Sequence, residues 1–349
     1  MPGGNDIKYM RRCLDLAVKA EGSTYPNPLV GAVIVNEGRI IGEGYHLRAG
    51  GPHAEVNAIA LVKDKTLLPS SVMYVNLEPC SHFGKTPPCA DLIISEGIKK
   101  VVVGTIDSNE KVSGRGIQKL RAAGCEVITG VLEEESRFIN RRFFTFHEKK
   151  RPYIILKWAR SSDGFIDIIR DKSQKTGPHW ISGKAERVLV HRWRATEPSI
   201  LAGGETIRTD NPLLNVRDWS GADPLRLLLT SSGNIEKNSA VFQSAGTNIV
   251  FTHNKDSVFE NAVTVELDKS GKTAEQVAGY LYDAGIQSVM VEGGAATLNH
   301  FIAAGLWDEA RVFTGRTEFK DGIKSPVIEG TNKSTTGFSK SSLDVIFRD

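Results

Sequence analysis

The chain has 349 residues, too many for one typical hydrophobic core, so its length predicts two domains. A hydrophobic fraction of 40% and a charged fraction of 24% are ordinary for a globular protein, and a net charge of +3 falls short of a nucleic-acid-binding surface. No apolar run is long enough to cross a bilayer, and residues 1–16 lack the apolar core of a signal peptide. We therefore expect a cytoplasmic protein whose four cysteines are reduced.

Helix and strand patterns alternate through the first half of the chain. The alternation predicts an α/β layered domain with a partly parallel sheet, and residues 36–38 indicate a hairpin turn. The predicted strands are 29–35, 39–45, 72–77, 100–105 and 125–129, and the predicted helices are 7–20, 54–62, 90–96, 116–123 and 134–144.

A charged stretch that ends in proline, residues 147–152, has no apolar periodicity. We interpret it as a linker between a domain at 1–146 and a domain at 153–349. The second domain repeats the strand and helix alternation and has a weak strand pattern at 345–348. Its predicted strands are 153–159, 199–202, 225–230, 248–252, 263–267, 288–291 and 310–314, and its predicted helices are 184–193, 274–283 and 295–304.

His53, Cys80 and Cys89 are the most informative residues of the chain. One imidazole and two thiolates can hold a catalytic zinc and leave the fourth coordination position for water. Glu55 lies one helical step beyond His53 and is free to carry protons. This is the residue set of a zinc-dependent deaminase, in which an activated water attacks an amidine carbon. The main alternative is a structural zinc site, although such sites usually have four protein ligands.

The loop between the two cysteines is longer than the C-x-x-C spacing of most deaminases, because eight residues separate Cys80 from Cys89. It carries Lys85 and Thr86, which could bind the phosphate of a sugar-phosphate substrate. The alternative is that Lys85 is an ordinary solvated loop charge.

Three further residues flank the predicted zinc site. Asn27 stands just before the first strand, where it can hydrogen-bond a ring edge or only shape the turn. Asp107 follows the strand 100–105, at the edge of the sheet where α/β proteins bind ligands. We interpret His46 as structural or substrate-side rather than as a metal ligand.

Four motifs together carry a resemblance to a known family: N-P-x-V-G at 27–31, G-x-G-x-H at 42–46, P-H-A-E at 52–55 and E-P-C-S-H-x-G-K-T-P-P-C at 78–89. Residues 1–146 resemble the deaminase half of the bifunctional riboflavin-biosynthesis deaminase/reductases, which has a cytidine-deaminase-like three-layer fold. The resemblance implies deamination of 2,5-diamino-6-ribosylamino-4(3H)-pyrimidinone 5′-phosphate to the uracil.

By that match, His53, Cys80 and Cys89 bind zinc and Glu55 is the proton donor. The substrate contacts implied for this half are Asn27, Lys85, Thr86, Asp107 and Asn109. The chain departs from the family at 107–110, where D-S-N-E replaces the usual D-P-N-P.

In the second half, residues 288–298 predict a strand, two glycines and a helix. Glycine lets the backbone approach a phosphate closely, and a helix N-terminus supplies N–H groups. A plain glycine turn is the alternative. Together with 157–164, 180–182 and 203–217, this segment resembles the reductase half of the same family, a dihydrofolate-reductase-like fold that uses NADPH.

The resemblance therefore covers nearly the whole chain. The residues that it implies for NADPH binding are Ala159, Trp180, Thr206, Asp210, Ser231, Gly294, Ala295, Ala296, Thr297 and Leu298. Those that it implies for substrate binding are Arg194, Leu214, Arg217 and Glu292. Two arginines suit a phosphate-bearing substrate.

The reductase half departs from the family at two places: Pro178 stands where serine is usual, and an arginine is missing after the strand 225–230. Ser231 is the candidate contact to the 2′-phosphate, and the missing arginine leaves the choice between NADPH and NADH open. Lys157 and Glu292 are the candidates for polarising and protonating the opened sugar, with a structural ion pair as the alternative.

The expected partners are small pyrimidine ribotides and further copies of the chain, with no nucleic acid and no membrane. One alternative function is a nucleic-acid deaminase with an accessory domain, which an aromatic fraction of 7% disfavours. Others are a non-catalytic zinc module and a protein in which one half is degenerate.

Overall fold

A computed structural model of the chain describes residues 3–81, 87–109, 113–170, 177, 179–269, 271–330 and 332–348. The chain forms two compact units, Met1–Lys150 and Arg151–Asp349. The last helix of the first unit continues to Lys149, so residues 147–149 of the predicted linker are helical. The ring of His147 packs on that of Phe143 one turn earlier, with 4.4 Å between centroids, and this contact extends the helix.

The first unit contains short helices around one sheet. Its helices are α1 (Gly4–Ala17), α2 (Ala54–Ala60), α3 (Cys89–Ser95), α4 (Arg115–Ala122), α5 (Glu133–Ile139) and α6 (Arg141–Lys149). Its strands are β1 (Gly31–Asn36), β2 (Arg39–Tyr45), β3 (Val72–Leu77), β4 (Lys100–Thr105) and β5 (Glu126–Thr129).

The strands lie in the order β2-β1-β3-β4-β5, with β3, β4 and β5 parallel and β1 antiparallel to its neighbours. The predicted hairpin is confirmed: Glu37 and Gly38 have φ of 47° and 77°, as a tight turn between β1 and β2 requires. The carboxyl ends of the parallel strands β3 and β4 meet at one edge of the sheet. The segments that follow these strands contain Cys80 and Asp107.

Both faces of this sheet are covered, which gives the predicted three layers. One buried cluster joins the sheet to helices α2, α3 and α4 through residues such as Ala58, Ile93 and Leu120. The opposite cluster joins it to α1 through Met10 and Leu16.

The predicted helix 134–144 is interrupted at Asn140. The side chain of Asn140 bonds both backbone groups of Leu29, accepting from its N–H at 2.7 Å and donating to its carbonyl at 2.9 Å. This tertiary contact separates α5 from α6 and fixes the segment that contains Asn27.

The second unit is also α/β. Its helices are α7 (Lys184–Thr196), α8 (Gly204–Asp210), α9 (Ala240–Gln243), α10 (Thr273–Asp283) and α11 (Ala295–Ala303). Its strands are β6 (Tyr153–Arg160), β7 (Phe165–Asp167), β8 (Ser199–Gly203), β9 (Leu225–Thr230), β10 (Asn248–Thr252), β11 (Val263–Glu266), β12 (Ser288–Glu292), β13 (Glu309–Gly315), β14 (Ile323–Lys324), β15 (Asn332–Gly337) and β16 (Ser341–Phe347).

The main sheet of the second unit has the order β11-β10-β9-β8-β12-β6-β13-β16-β15. The strands from β11 to β13 are parallel, while β16 and β15 are added in antiparallel pairs. Buried clusters lie on both faces of the sheet, around Phe301 of α11 on one face and around Phe242 of α9 on the other. The carboxyl ends of β6, β8 and β12 therefore converge at one edge.

Several elements of this unit were not predicted from the sequence, among them α8 and β15. Helix α8 buries only Gly204 and Ile207, so it has no apolar stripe that a periodicity search could find. Strand β15 is an edge strand held by backbone pairing to β16, and its sequence NKSTTG has no apolar alternation. No helix within the described ranges combines the length and the apolarity that a membrane span requires.

Candidate active sites

Three different elements of the first unit supply the predicted zinc ligands. His53 is the N-cap of α2, Cys80 follows β3, and Cys89 begins α3. The Cys89 N–H donates to the Cys80 sulfur at 3.3 Å, and the Ala90 N–H donates to the Cys80 carbonyl at 3.1 Å. The start of α3 therefore closes the long loop between the two cysteines and brings both sulfurs to one place.

The three ligand atoms have the spacing that zinc requires. They all lie within 4.8 Å of one another, and His53 Nδ1 is 3.5 Å from the Cys80 sulfur and 3.3 Å from the Cys89 sulfur. Tetrahedral zinc with its usual bond lengths separates nitrogen from sulfur by about 3.6 Å. Of the side chains that the structure describes, no fourth joins this group. The donor set fits zinc with an open coordination position.

Glu55 lies in the first turn of α2 and is only 3% exposed. Burial raises the pKa of Glu55 to about 7, and the negative charge of Cys80 acts in the same direction. A hydrogen bond with Cys89 lowers the pKa of Cys80. A carboxyl group that titrates near neutral pH can both accept and return a proton, as general acid–base catalysis requires.

His46 connects the predicted substrate contact Asn27 to the predicted metal ligand His53. Its Nδ1 donates to the Pro52 carbonyl at 2.9 Å, so Nε2 is the acceptor and receives the Asn27 amide N–H at 3.0 Å. The His46 and His53 rings meet edge to face, with 5.6 Å between centroids. The G-x-G-x-H motif was the sequence signal for this residue, and its interpretation as structural or substrate-side stays a prediction.

Asp107 and Asn109 lie in the segment after β4. Asp107 is buried, and its carboxylate accepts the Asn109 N–H at 2.7 Å. Burial raises the pKa of Asp107 to about 6. Lys85 and Thr86, the predicted phosphate contacts, lie outside the described residues.

A cleft of about 460 Å³ lies at the carboxyl edge of the second sheet. It contains predicted cofactor and catalytic residues from several elements of the fold. Those that line it are Lys157, Ala159, Trp180, Thr206, Asp210, Glu292, Gly294 and Ala295.

Other predicted residues do not line this cleft. Leu298 and Leu214 are buried in the core, at 0% and 2% exposure. Arg217 and Ser231 are exposed on the segments after α8 and β9. Three further predicted residues also do not line the cleft: Arg194, Ala296 and Thr297.

A buried ion-pair network lies at the floor of the cleft. Glu292, at the end of β12, accepts two hydrogen bonds from Arg194 and one from Lys157, the latter at 3.3 Å. Burial alone would raise the pKa of Glu292, but the charges of Arg194 and Lys157 hold it well below its usual range. Glu292 is therefore ionised throughout the physiological pH range.

The start of α11 opens toward the same cleft. Its N-cap is Gly294, whose N–H donates to the Thr206 hydroxyl of α8 at 3.0 Å. A side chain at Gly203 would place a Cβ 2.2 Å from the Thr297 hydroxyl, so glycine permits the close approach of β8 to α11. The N-terminus of a helix can bind a phosphate, and the cofactor interpretation of the double glycine stays a prediction.

Sequence reasoning missed one cluster in the cleft. Arg170 bonds Asp167 at 3.0 Å and Asp210 at 3.4 Å, and all three residues line the cleft. The Trp180 side of the cleft is open, because Trp180 is 57% exposed. The guanidinium of Arg187 lies over the Trp180 ring, 4.7 Å from its centroid. No sequence motif contains Arg170, and its contact with Asp210 of α8 is visible only in the folded structure.

Both halves match known protein families. The model of the cytidine and deoxycytidylate deaminase zinc-binding region matches residues 4–105, and that of the RibD C-terminal domain matches residues 152–315. The riboflavin biosynthesis protein RibD of Aquifex aeolicus is 40% identical over 91% of this chain and 89% of that protein. RibD of Escherichia coli is 35% identical over 88% and 87%.

Solved structures agree over the whole length. The diaminohydroxyphosphoribosylaminopyrimidine deaminase/5-amino-6-(5-phosphoribosylamino)uracil reductase of Thermotoga maritima is 38% identical, covers 99% of this chain and 98% of its own, and has a TM-score of 0.86. RibD of Acinetobacter baumannii is 29% identical with a TM-score of 0.85, covering 98% of each chain. The resemblance found in the motifs is confirmed. The chain belongs to the RibD family of riboflavin biosynthesis, bifunctional enzymes with a zinc-binding deaminase domain and an NADPH-using reductase domain.

Proposed function

We propose that the chain deaminates 2,5-diamino-6-ribosylamino-4(3H)-pyrimidinone 5′-phosphate and then reduces the ribosyl group to give 5-amino-6-ribitylaminouracil 5′-phosphate. The observation that carries the proposal is the group of His53, Cys80 and Cys89 beside the buried carboxyl of Glu55. The similarity to the Thermotoga maritima deaminase/reductase, whose name gives both activities, supports the choice of substrates.

In the deaminase half, His53, Cys80 and Cys89 would hold zinc, which supplies Lewis-acid activation of the water that replaces the amino group. Glu55 would carry two protons in turn, the first from this water to the ring nitrogen and the second from the hydroxyl added to the carbon to the leaving amine. Burial, which raises the pKa of Glu55, favours return of each proton after it has been accepted. Asn27, oriented by His46, would bind the edge of the pyrimidine ring.

In the reductase half, Ala159, Trp180, Thr206, Asp210 and the start of α11 would hold NADPH, which supplies hydride to C1′ of the opened ribosylamine. Arg194 and Arg217 would bind the substrate. Glu292 stays ionised, and the guanidinium of Arg194 does not give up its proton. Lys157, which contacts Glu292, would therefore donate the proton that accompanies the hydride. Glu292 would hold Lys157 and Arg194 in place.

We further propose that the enzyme works as a homo-oligomer in the reducing cytoplasm and takes only small ribotides as substrates. All four cysteines are free thiols, which suits a reducing compartment. Sedimentation of the zinc-loaded protein at micromolar concentration tests the assembly, and a monomer at that concentration would contradict it.

The central test uses Glu55→Gln, with Glu134→Gln on the exposed side of α5 as a matched control. The zinc-loaded protein is mixed with NADPH and the diaminopyrimidinone ribotide, and absorbance of the nicotinamide is followed. We expect Glu55→Gln to keep about one zinc per chain, to release no ammonia, and to oxidise NADPH only when the deaminated ribotide is supplied. Deamination by Glu55→Gln, or no NADPH oxidation by the wild type with the deaminated ribotide, would contradict the proposal.

A further inference from the structure

Glu78 lies between the zinc-ligand segment and the segment that contains Asp107. It directly follows β3, two residues before Cys80, and is only 4% exposed. Its carboxylate accepts four backbone hydrogen bonds of 2.8–3.2 Å, from Asp107, Gly114, Gly116 and Ile117. Among the ion pairs of the described residues none involves Glu78, so these N–H groups are what balance its charge.

The two oxygens of this carboxylate have different partners. Oε1 accepts from Gly116 and Ile117, which stand in the first turn of α4, and this is an ordinary helix-capping arrangement. Oε2 accepts from Asp107 and Gly114, which stand at the two ends of the segment before α4. Capping the helix does not require the bond to Asp107. The bond from the Asp107 N–H to Oε2 therefore has a second effect, which is to hold Asp107 beside Glu78.

Close packing fixes the same segment against the zinc-ligand segment. A Cβ at Gly116 would lie 1.9 Å from the Pro79 carbonyl oxygen, so only glycine lets α4 start there. The Glu78 N–H donates to the Thr105 carbonyl at 3.0 Å, which joins the ends of β3 and β4. The Glu78 carboxylate adds to these backbone contacts the one described side-chain bond that holds the Asp107 N–H directly.

We propose that Glu78 is a positioning residue of the deaminase: its carboxylate fixes Asp107 against the zinc-ligand segment, so that binding of the ribotide depends on it while zinc binding does not. The inference rests on the proposed function, in which Asp107 and Asn109 contact the substrate. The Ser113 N–H donates to the Asn109 carbonyl at 2.9 Å, so loosening the segment at Gly114 would also release Asn109.

Glu78→Gln tests the proposal, with Glu134→Gln as the matched surface control. The amide group of glutamine keeps the shape but turns one oxygen into a donor that faces two N–H groups. We expect one zinc per chain, unchanged reductase activity on the deaminated ribotide, and a KM for deamination raised about tenfold or more, with a much smaller change in kcat. Glu78→Asp keeps the charge and should recover part of this loss.

Amide hydrogen exchange provides a readout that needs no activity. In Glu78→Gln, exchange should become faster at Asp107 and Gly114 while the amides of β3 and β4 stay protected. Loss of zinc, a fall in kcat with an unchanged KM, or unchanged exchange at Asp107 would overturn the inference. If the wild type does not deaminate the ribotide, the proposed function fails, and the exchange experiment still decides whether Glu78 fixes this segment.

Discussion

Arg194 and Glu292 form a two-point ion pair, with Nε donating to Oε1 at 2.8 Å and Nη2 donating to Oε2 at 2.9 Å. Both side chains are 10% exposed, and Lys157 bonds the second oxygen from the other side. One carboxylate thus holds two cations, one of which is proposed to bind the substrate and the other to protonate it. The pair is thus a buried contact of the second unit, and the proposed function also gives it a role in the reductase.

Glu292→Gln should destabilise the second unit, because two buried cations lose their counter-charge. Breaking a buried pair in this way costs about 3–5 kcal/mol. All five tryptophans lie in the second unit, so denaturant unfolding followed by tryptophan fluorescence reports its stability alone. The exposed Glu275→Gln on α10 is the control, and equal unfolding midpoints for the two variants would show that the pair contributes nothing.

Cys80→Ser should lose zinc and deaminase activity together while the reductase keeps its rate, since the two sites lie in separate units. Metal content by mass spectrometry and the two assays check this. Cys125→Ala is the control, because Cys125 is buried and its thiol donates to the Ile98 carbonyl at 3.4 Å, away from the predicted zinc ligands. A Cys80→Ser protein that retains stoichiometric zinc would show that Cys80 is not a ligand.

His191 makes the second unit less stable in acid. Burial lowers the pKa of His191 to about 4, and the charges of Arg194 and Arg217 act in the same direction, while Asp218 and Glu292 oppose them. Its Nδ1 accepts the Arg217 N–H at 3.2 Å, a bond that protonation of Nδ1 would break.

Because the unfolded state, with a pKa near 6.5, binds the proton first, the stability contributed by neutral His191 is complete above about pH 6.5. It is lost as the pH falls from there toward about 4. We expect His191→Asn to flatten the pH dependence of the tryptophan-monitored midpoint in this window, while the exposed His300→Asn leaves it unchanged. An equally steep dependence in His191→Asn would assign the effect to other groups.

Arg208 is expected to favour NADPH over NADH. Its Nη1 donates to the Asn234 carbonyl at 2.7 Å, so α8 places a guanidinium beside the segment after β9, where the family arginine is missing. Arg208→Met should weaken NADPH binding about tenfold, the usual size of one charge-assisted contact, and leave NADH binding unchanged. Cofactor fluorescence titration measures both constants, and an equal loss for NADH would show that Arg208 does not recognise the 2′-phosphate.

Local patterns in the sequence were enough to predict the ligand set and the central strands. The predicted ligands His53, Cys80 and Cys89 lie at the start of a helix, just after a strand and at the start of another helix, and such boundaries have sequence signals of their own. The hairpin between β1 and β2 is also a short-range feature.

The remaining features depend on residues that are distant in sequence. The four partners of Glu78 lie 29 to 39 residues away, and Arg194 is 98 residues from Glu292. Leu214 was predicted to contact the substrate, and in the structure its side chain is buried. Its backbone has a φ of 52° in the turn after α8, a conformation that no pattern in the sequence indicates. Such contacts are products of the tertiary fold.

His53 caps α2, and Glu55 stands in the first turn of the same helix. The proposed metal ligand and the proposed proton carrier therefore lie on one helical turn and move as a single rigid body. When thermal motion shifts α2 relative to the sheet, the vector from the imidazole to the carboxyl changes little. A mutation that tilts α2 should therefore weaken metal affinity before it disturbs the path of the proton.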